Sequence, residues 1–184
     1  IGFPIGFGII LGQLLSDAGG ANVIADRVVK LFPESKAVYA ISFAGFILSI
    51  PVFFDVTFVV LIPIAIATMK KVNKSIPYMI GAISIGAGIA HSMIPPTPNP
   101  LAAAEIFGFD LGIILGVGLI IGAIALFISL YIYIKILDKG LWKKDLDENG
   151  LGLNVQEQEV LEKYPSFIEA LIPILLPIIT ILLN

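Results

Sequence analysis

GAGIAHSMIPPTPNP, residues 86–100, is the stretch on which the reading of the fold turns. It opens as apolar helix, carries His91, the one histidine of the chain, and then runs into Pro95, Pro96, Pro98 and Pro100. A proline ring removes a backbone donor and clashes with the preceding turn, so these four cannot all lie in one continuous helix. Leu101 to Ile106 (LAAAEI) returns to helix-forming composition. A non-helical elbow at about 94–100 is therefore expected between two helices, with apolar sequence on both sides. At membrane depth, irregular backbone is tolerated only where protein buries it or where it lines a wet cavity. Thr97 and Asn99 in such an elbow, close to Ser92 and His91, suit a solute-binding site. They suit an ordinary loop at the membrane surface as well, and the residues alone do not separate the two readings.

Composition places the chain in a membrane. Of its 184 residues 58% are hydrophobic and 14% charged, with a mean hydropathy of +1.01. A soluble domain is roughly 45–50% apolar and about 25% charged. The net charge of −3 is small and gives no reason to expect a nucleic-acid partner. Without cysteine there is no disulfide framework and no thiolate metal site. No GxxxxGK[ST] phosphate loop and no HExxH zinc pair occurs, and one histidine leaves little material for a Ser-His-Asp site. Neither a cofactor nor a metal is expected. Ile1 to Leu15 reads as the second part of a membrane helix, preceded by no basic leader, and Phe167 to Leu183 is apolar and ends without a loop. The chain is expected to be part of a longer protein.

The rest divides as follows. Residues 1–137 read as a membrane block, 138–166 as a hydrophilic cytoplasmic loop and 167–184 as the start of another membrane helix. Within the block, Asn22 to Phe32 reads as a short amphipathic helix suited to the interface, with Asp17 as its N-cap. Ala37 to Lys70 is too long for one span of about 20 residues and short for two. A break at Pro51 to Asp55 (PVFFD) resolves this, leaving a helical hairpin or one long broken helix. Gly81, Ala82, Ser84, Gly86, Ala87, Gly88 and Ala90 let the next span approach its neighbours closely. Asp110 suits a turn or cap, Glu105 is ambiguous, and Tyr131 and Tyr133 resemble interfacial aromatics. The lysines at 70, 71 and 74 and those beginning the 138–166 loop place both segments in the cytoplasm.

Two ionisable groups stand out. Asp55 lies between apolar arms, where a charge is costly and by default functional, although it could simply cap the arm that follows. An imidazole titrates near neutral pH, so His91 suits a proton-coupled step; a neutral histidine bonded within a helix bundle is the plainer reading.

Four segments resemble the GntP family of gluconate permeases: GFGIILGQLLSDAGGANVIA (6–25), the FFD break followed by LIPIAIA (53–67), HSMIPPTPNPLAAAEIFGFDLG (91–112) and YPSFIEALIPILLP (164–177). The most specific is the His-x-x-x-Pro-Pro-x-Pro-x-Pro pattern at His91 to Pro100. The sequence departs from the family pattern at Asp55, where glutamate is more usual, and at Asn99, where glycine is, so the substrate can differ from gluconate. The resemblance implies an all-α, polytopic transporter with broken helices or helical hairpins in an inverted-repeat architecture, taking up a sugar acid with protons across a bacterial inner membrane. Thr97, Asn99 and Ser92 would then bind substrate, aided by free N–H groups at the helix start near Leu101. Asp55 or His91 would carry the proton. Membrane lipid is the expected surrounding, and assembly with further copies is left open. A channel or a membrane subunit of a larger complex remains the alternative, and a membrane-embedded enzyme the more remote one.

Overall fold

The computed structural model describes residues 10, 12–142 and 164–182, and among these every regular element is helical. A helical stretch at 12–17 leads into α1 (Gly20–Lys30), followed by α2 (Ala37–Leu48), α3 (Phe54–Val72), α4 (Ile76–Met93), α5 (Pro98–Phe107), α6 (Leu111–Ile136) and α7 (Phe167–Leu182). Most of the loop expected at 138–166 lies outside the described residues.

Helix α1 is amphipathic because Ala21, Ile24, Ala25 and Val28 recur on one face, while Asp26, Arg27 and Lys30 lie on the other. Its apolar face does not rest in the interface as expected. It is buried against α2, α3 and α7, and the chain bends by 114° between α1 and the segment Glu34–Leu48. Nor does Asp17 cap this helix. Gly19, with a φ of 73°, occupies the cap position, and Asp17 instead accepts a hydrogen bond from Gln13 Nε2 at 2.8 Å. A left-handed turn is open to glycine without steric cost, and it separates the aspartate from the first turn of α1.

Helices α2 and α4 form the centre. They touch backbone to backbone, since Gly86 lies so close to the Ser42 carbonyl that a Cβ has no room. This is what the small residues of α4 permit, and dispersion between closely approaching backbones is what holds such pairs in a membrane. Around this crossing a main core joins Ile24, Ile41, Leu48, Leu61, Met79 and Ile83. A second, smaller core of Phe46, Ile50, Ala90, Ile94, Leu115 and Leu126 sits between the ends of α2 and α4 and the middle of α6.

Two segments, Ile76–Phe107 and Leu111–Leu141, are long and apolar enough to cross a membrane, and the bent pair Gly20–Lys30 with Glu34–Leu48 would make a third. The 26 residues of α6 extend about 39 Å at the helical rise. Asp110 caps its start, accepting from the Ile113 amide at 2.9 Å. Ile113, Val117, Ile120, Ile124, Phe127 and Ile128 leave its outer face apolar and exposed, as a surface against lipid tails requires. Tyr133 is more than an interfacial aromatic. Its ring fills the space over Gly81 and its Oη donates to the Pro77 carbonyl at 2.9 Å, tying α6 to the start of α4.

Candidate functional site at the meeting of two helix breaks

The helical path is interrupted at 49–53, between α2 and α3, and at 94–97, between α4 and α5. The two interruptions pack against each other. Ile50, Pro51, Val52 and Phe53 of the first line one narrow crevice with Pro96, Thr97 and Pro98 of the second. Neither break is held by its own sequence alone, because the smaller core lies directly beneath both and supplies Ile50 from one and Ile94 from the other.

The first break turns on Pro51. The backbone still makes the bonds from Ser49 N to the Gly45 carbonyl and from Val52 N to the Leu48 carbonyl, then leaves the helix; Phe53 is extended and begins α3. Across this break Ser49 Oγ donates to Thr57 Oγ1 at 3.0 Å, and both residues are fully buried. A buried hydroxyl without a partner is costly, so this pair ties the end of α2 to the first turn of α3. Asp55 is the second residue of α3, exposed, in the first turn where the helix dipole favours a carboxylate.

The second break is shorter than expected. Helix α5 starts at Pro98 rather than Leu101, so the irregular backbone is confined to Ile94–Thr97, and the Pro95–Pro96 peptide bond is cis. Thr97 is buried and donates its hydroxyl to the Ile94 carbonyl at 2.6 Å, closing the elbow on itself. Pro98 and Pro100 have no N–H, so the first turn of α5 offers the Asn99 amide in place of the usual set of free donors. The first turn of α3 contains no proline and so keeps its backbone amides.

The Phe53 ring of the first break lies 5.3 Å from the His91 ring at a tilt of 56°, and Asp55 follows two residues later in the first turn of α3. His91 Nδ1 is buried and has no hydrogen-bond partner among the described residues. The remaining candidates face elsewhere. Ser92 and Asn99 are exposed and line a mostly apolar groove of about 480 Å³ between the elbow and α6, floored by Met93, Ile114 and Val117. Gly118 of α6 lies against the Met93 carbonyl at the last turn of α4, where a Cβ has no room. Thr97 thus lies in the crevice between the breaks and His91 against Phe53 of the first, whereas Ser92 and Asn99 face the groove beside α6.

Sequence reasoning passed over Ser49, Thr57 and Phe53. A signal was present: two hydroxyl residues either side of a proline within an otherwise apolar run. Among the described residues no group of three or more His, Asp or Glu side chains is placed to hold a metal ion.

Apolar segments of membrane-spanning length, interrupted at two points that pack together around polar and ionisable side chains, define an all-α integral membrane protein of the broken-helix class. The sequence profile of the GntP family permease matches residues 1–184, and the chain belongs to this family. An uncharacterized permease of Haemophilus influenzae is 32% identical over 199 aligned residues, covering 100% of this chain and 39% of the relative. A gluconate permease of Bacillus subtilis is 32% identical over 181 residues, covering 97% and 40%. The Gnt-II system L-idonate transporter of Escherichia coli is 28% identical over 173 residues, covering 94% and 39%. The chain thus spans about two fifths of the length of these relatives. No solved structure matches it.

Proposed function

We propose that this chain forms part of a secondary active transporter that takes up gluconate or a related sugar acid together with protons across the bacterial inner membrane. The observation that carries the proposal is the packing of two helix breaks against each other, with Thr97 in the crevice between them and His91 against Phe53, in a chain of a permease family. Gluconate and L-idonate transport are the activities named for its relatives, and names of this kind support a carrier rather than an enzyme.

A sugar acid presents a carboxylate and several hydroxyls. In this reading the carboxylate meets the amides in the first turn of α3 once Asp55 is protonated, Thr97 offers its hydroxyl oxygen as an acceptor, and Ser92 and Asn99 contact the solute from the flank beside α6. Asp55 or His91 carries the coupling proton, and a proton taken up with an anion offsets its charge. In this reading the Lys70–Lys74 turn and the 138–166 loop face the cytoplasm. The turn and Asp138 lie at one end of the bundle, since Tyr78, just after that turn, donates to Asp138 at 2.8 Å, which supports one side for both.

Membrane vesicles carrying the full-length protein test this. Labelled gluconate or idonate should accumulate above its external concentration under an imposed inward proton gradient, and saturably. Equilibration without accumulation would mark a channel and refute the carrier reading; absence of any uptake of either acid would refute the substrate class.

A further inference from the structure

The end of the bundle opposite the two breaks holds a second cavity that the transport reading does not use. It measures about 380 Å³ and lies between the last turn of α1 and the second half of α3. Its floor is apolar, formed by Val29, Phe32, Ile64 and Val72, all partly buried. Its mouth is charged in an unusual way: Asp26 and Lys30 pair along α1, and Glu34 from the turn before α2 pairs with Lys71 of α3 at 2.7 Å. Two cations and two carboxylates thus border one apolar hollow. All four side chains are exposed, and exposed ion pairs contribute little to stability, so each can exchange its partner for a ligand group at small cost. Cations stacked on aromatic rings mark the same end, with Lys36 over Tyr39 at 5.4 Å and Lys74 over Tyr78 at 4.6 Å. Lysines and tyrosines at the end of apolar helices belong at the level of lipid headgroups.

We infer that this cavity binds the headgroup of a zwitterionic phospholipid bearing a primary ammonium. The phosphate accepts from Lys30 and Lys71, and the ammonium donates to Asp26 and Glu34. The first methylenes of an acyl chain cover Phe32, Ile64 and Val72. The mouth carries no net charge, so it favours a ligand with both signs over a purely anionic one. A quaternary choline fits less well, because it has no N–H to give to the carboxylates. The inference rests on the chain being a membrane protein and not on what it transports.

The test is lipid retention by the purified full-length protein, read by native mass spectrometry with dioleoyl phosphatidylethanolamine, phosphatidylcholine and phosphatidylglycerol added singly. Phosphatidylethanolamine is expected to bind about tenfold more tightly than phosphatidylcholine, the ratio that one charge-assisted hydrogen bond supplies. Asp26→Asn with Glu34→Gln should erase that preference while leaving some phospholipid bound; Lys30→Gln with Lys71→Gln should lower binding of both lipids. Ala67→Trp, which fills the hollow from α3 without touching a charge, should abolish retention at this site. Equal binding of the ethanolamine and choline lipids, tighter binding of phosphatidylglycerol, full competition by millimolar inorganic phosphate, or retention unchanged by Ala67→Trp would each overturn the assignment. None of these readouts depends on uptake, so a failure here leaves the transport proposal intact, and the reverse holds as well.

Discussion

The two helix breaks that meet at the junction are built by opposite means. The break at 49–53 uses a single proline and is closed by side chains, through the buried Ser49–Thr57 hydroxyl pair. The break at 94–97 is dense in proline and closes on its own backbone, through Thr97 and the Ile94 carbonyl. The consequences differ too. The first leaves the opening turn of α3 with its amides available and places Asp55 among them. The second strips the opening turn of α5 of two donors and carries no charge of its own. Charge and free hydrogen-bonding groups thus come from the first break, and rigid shape from the second. His91 belongs to the helix that ends in the second break, yet its ring packs against Phe53 of the first.

The largest effect should come from removing the charge of the first break. Asp55→Asn should bring accumulation of a sugar acid in vesicles down to the level of simple equilibration while sparing exchange of bound substrate. His91→Gln, on the side of the second break, should retain part of the activity and flatten its dependence on pH. Normal accumulation by Asp55→Asn vesicles under an imposed pH gradient would mean that the first break does not supply the coupling group, and the contrast drawn above would fail.

A smaller effect is expected from disturbing the shape of the second break. Gly118→Ala puts a methyl group against the Met93 carbonyl, and overpacking of this kind costs about 1–3 kcal/mol. Thermal unfolding in detergent should register the loss, and apparent substrate affinity should fall with it because the elbow is displaced. An unchanged affinity at lowered stability would show that the elbow does not shape the substrate site.

The smallest effect on uptake is expected from a change that tests only how the first break is closed. Thr57→Val keeps the shape of the side chain but leaves Ser49 Oγ buried without its partner, at a cost of roughly 1–3 kcal/mol. Adding Ser49→Ala should recover part of that loss, because both polar groups are then gone. A double-mutant cycle on unfolding free energies measures the coupling. Strict additivity would mean that the hydroxyl pair is incidental and that packing alone closes the first break.

Much of this architecture was legible in local sequence. Proline acts on its own turn, so Pro51 and the Pro95–Pro100 cluster located both interruptions to within a few residues, although Pro98 proved to open α5 because proline fits the first position of a helix. The glycines and alanines of α4 announced a close-packed helix. Asp17 was misread as a cap because a polar residue before an amphipathic stretch carries the right composition, while the turn itself depended on the left-handed Gly19.

Sequence by itself determined the class of protein, the family, the places where helices must stop and the rare ionisable groups worth suspecting, because each depends on composition or on the backbone chemistry of neighbouring residues. Only the tertiary structure decided that the two breaks touch, that His91 packs against Phe53, that Ser92 and Asn99 turn aside toward α6, and that the apolar face of α1 is covered by helices instead of lipid. Those are relations between segments far apart in the chain. They follow from how all the helices pack at once around the Gly86–Ser42 contact, and no local pattern encodes which distant partner a given face will meet.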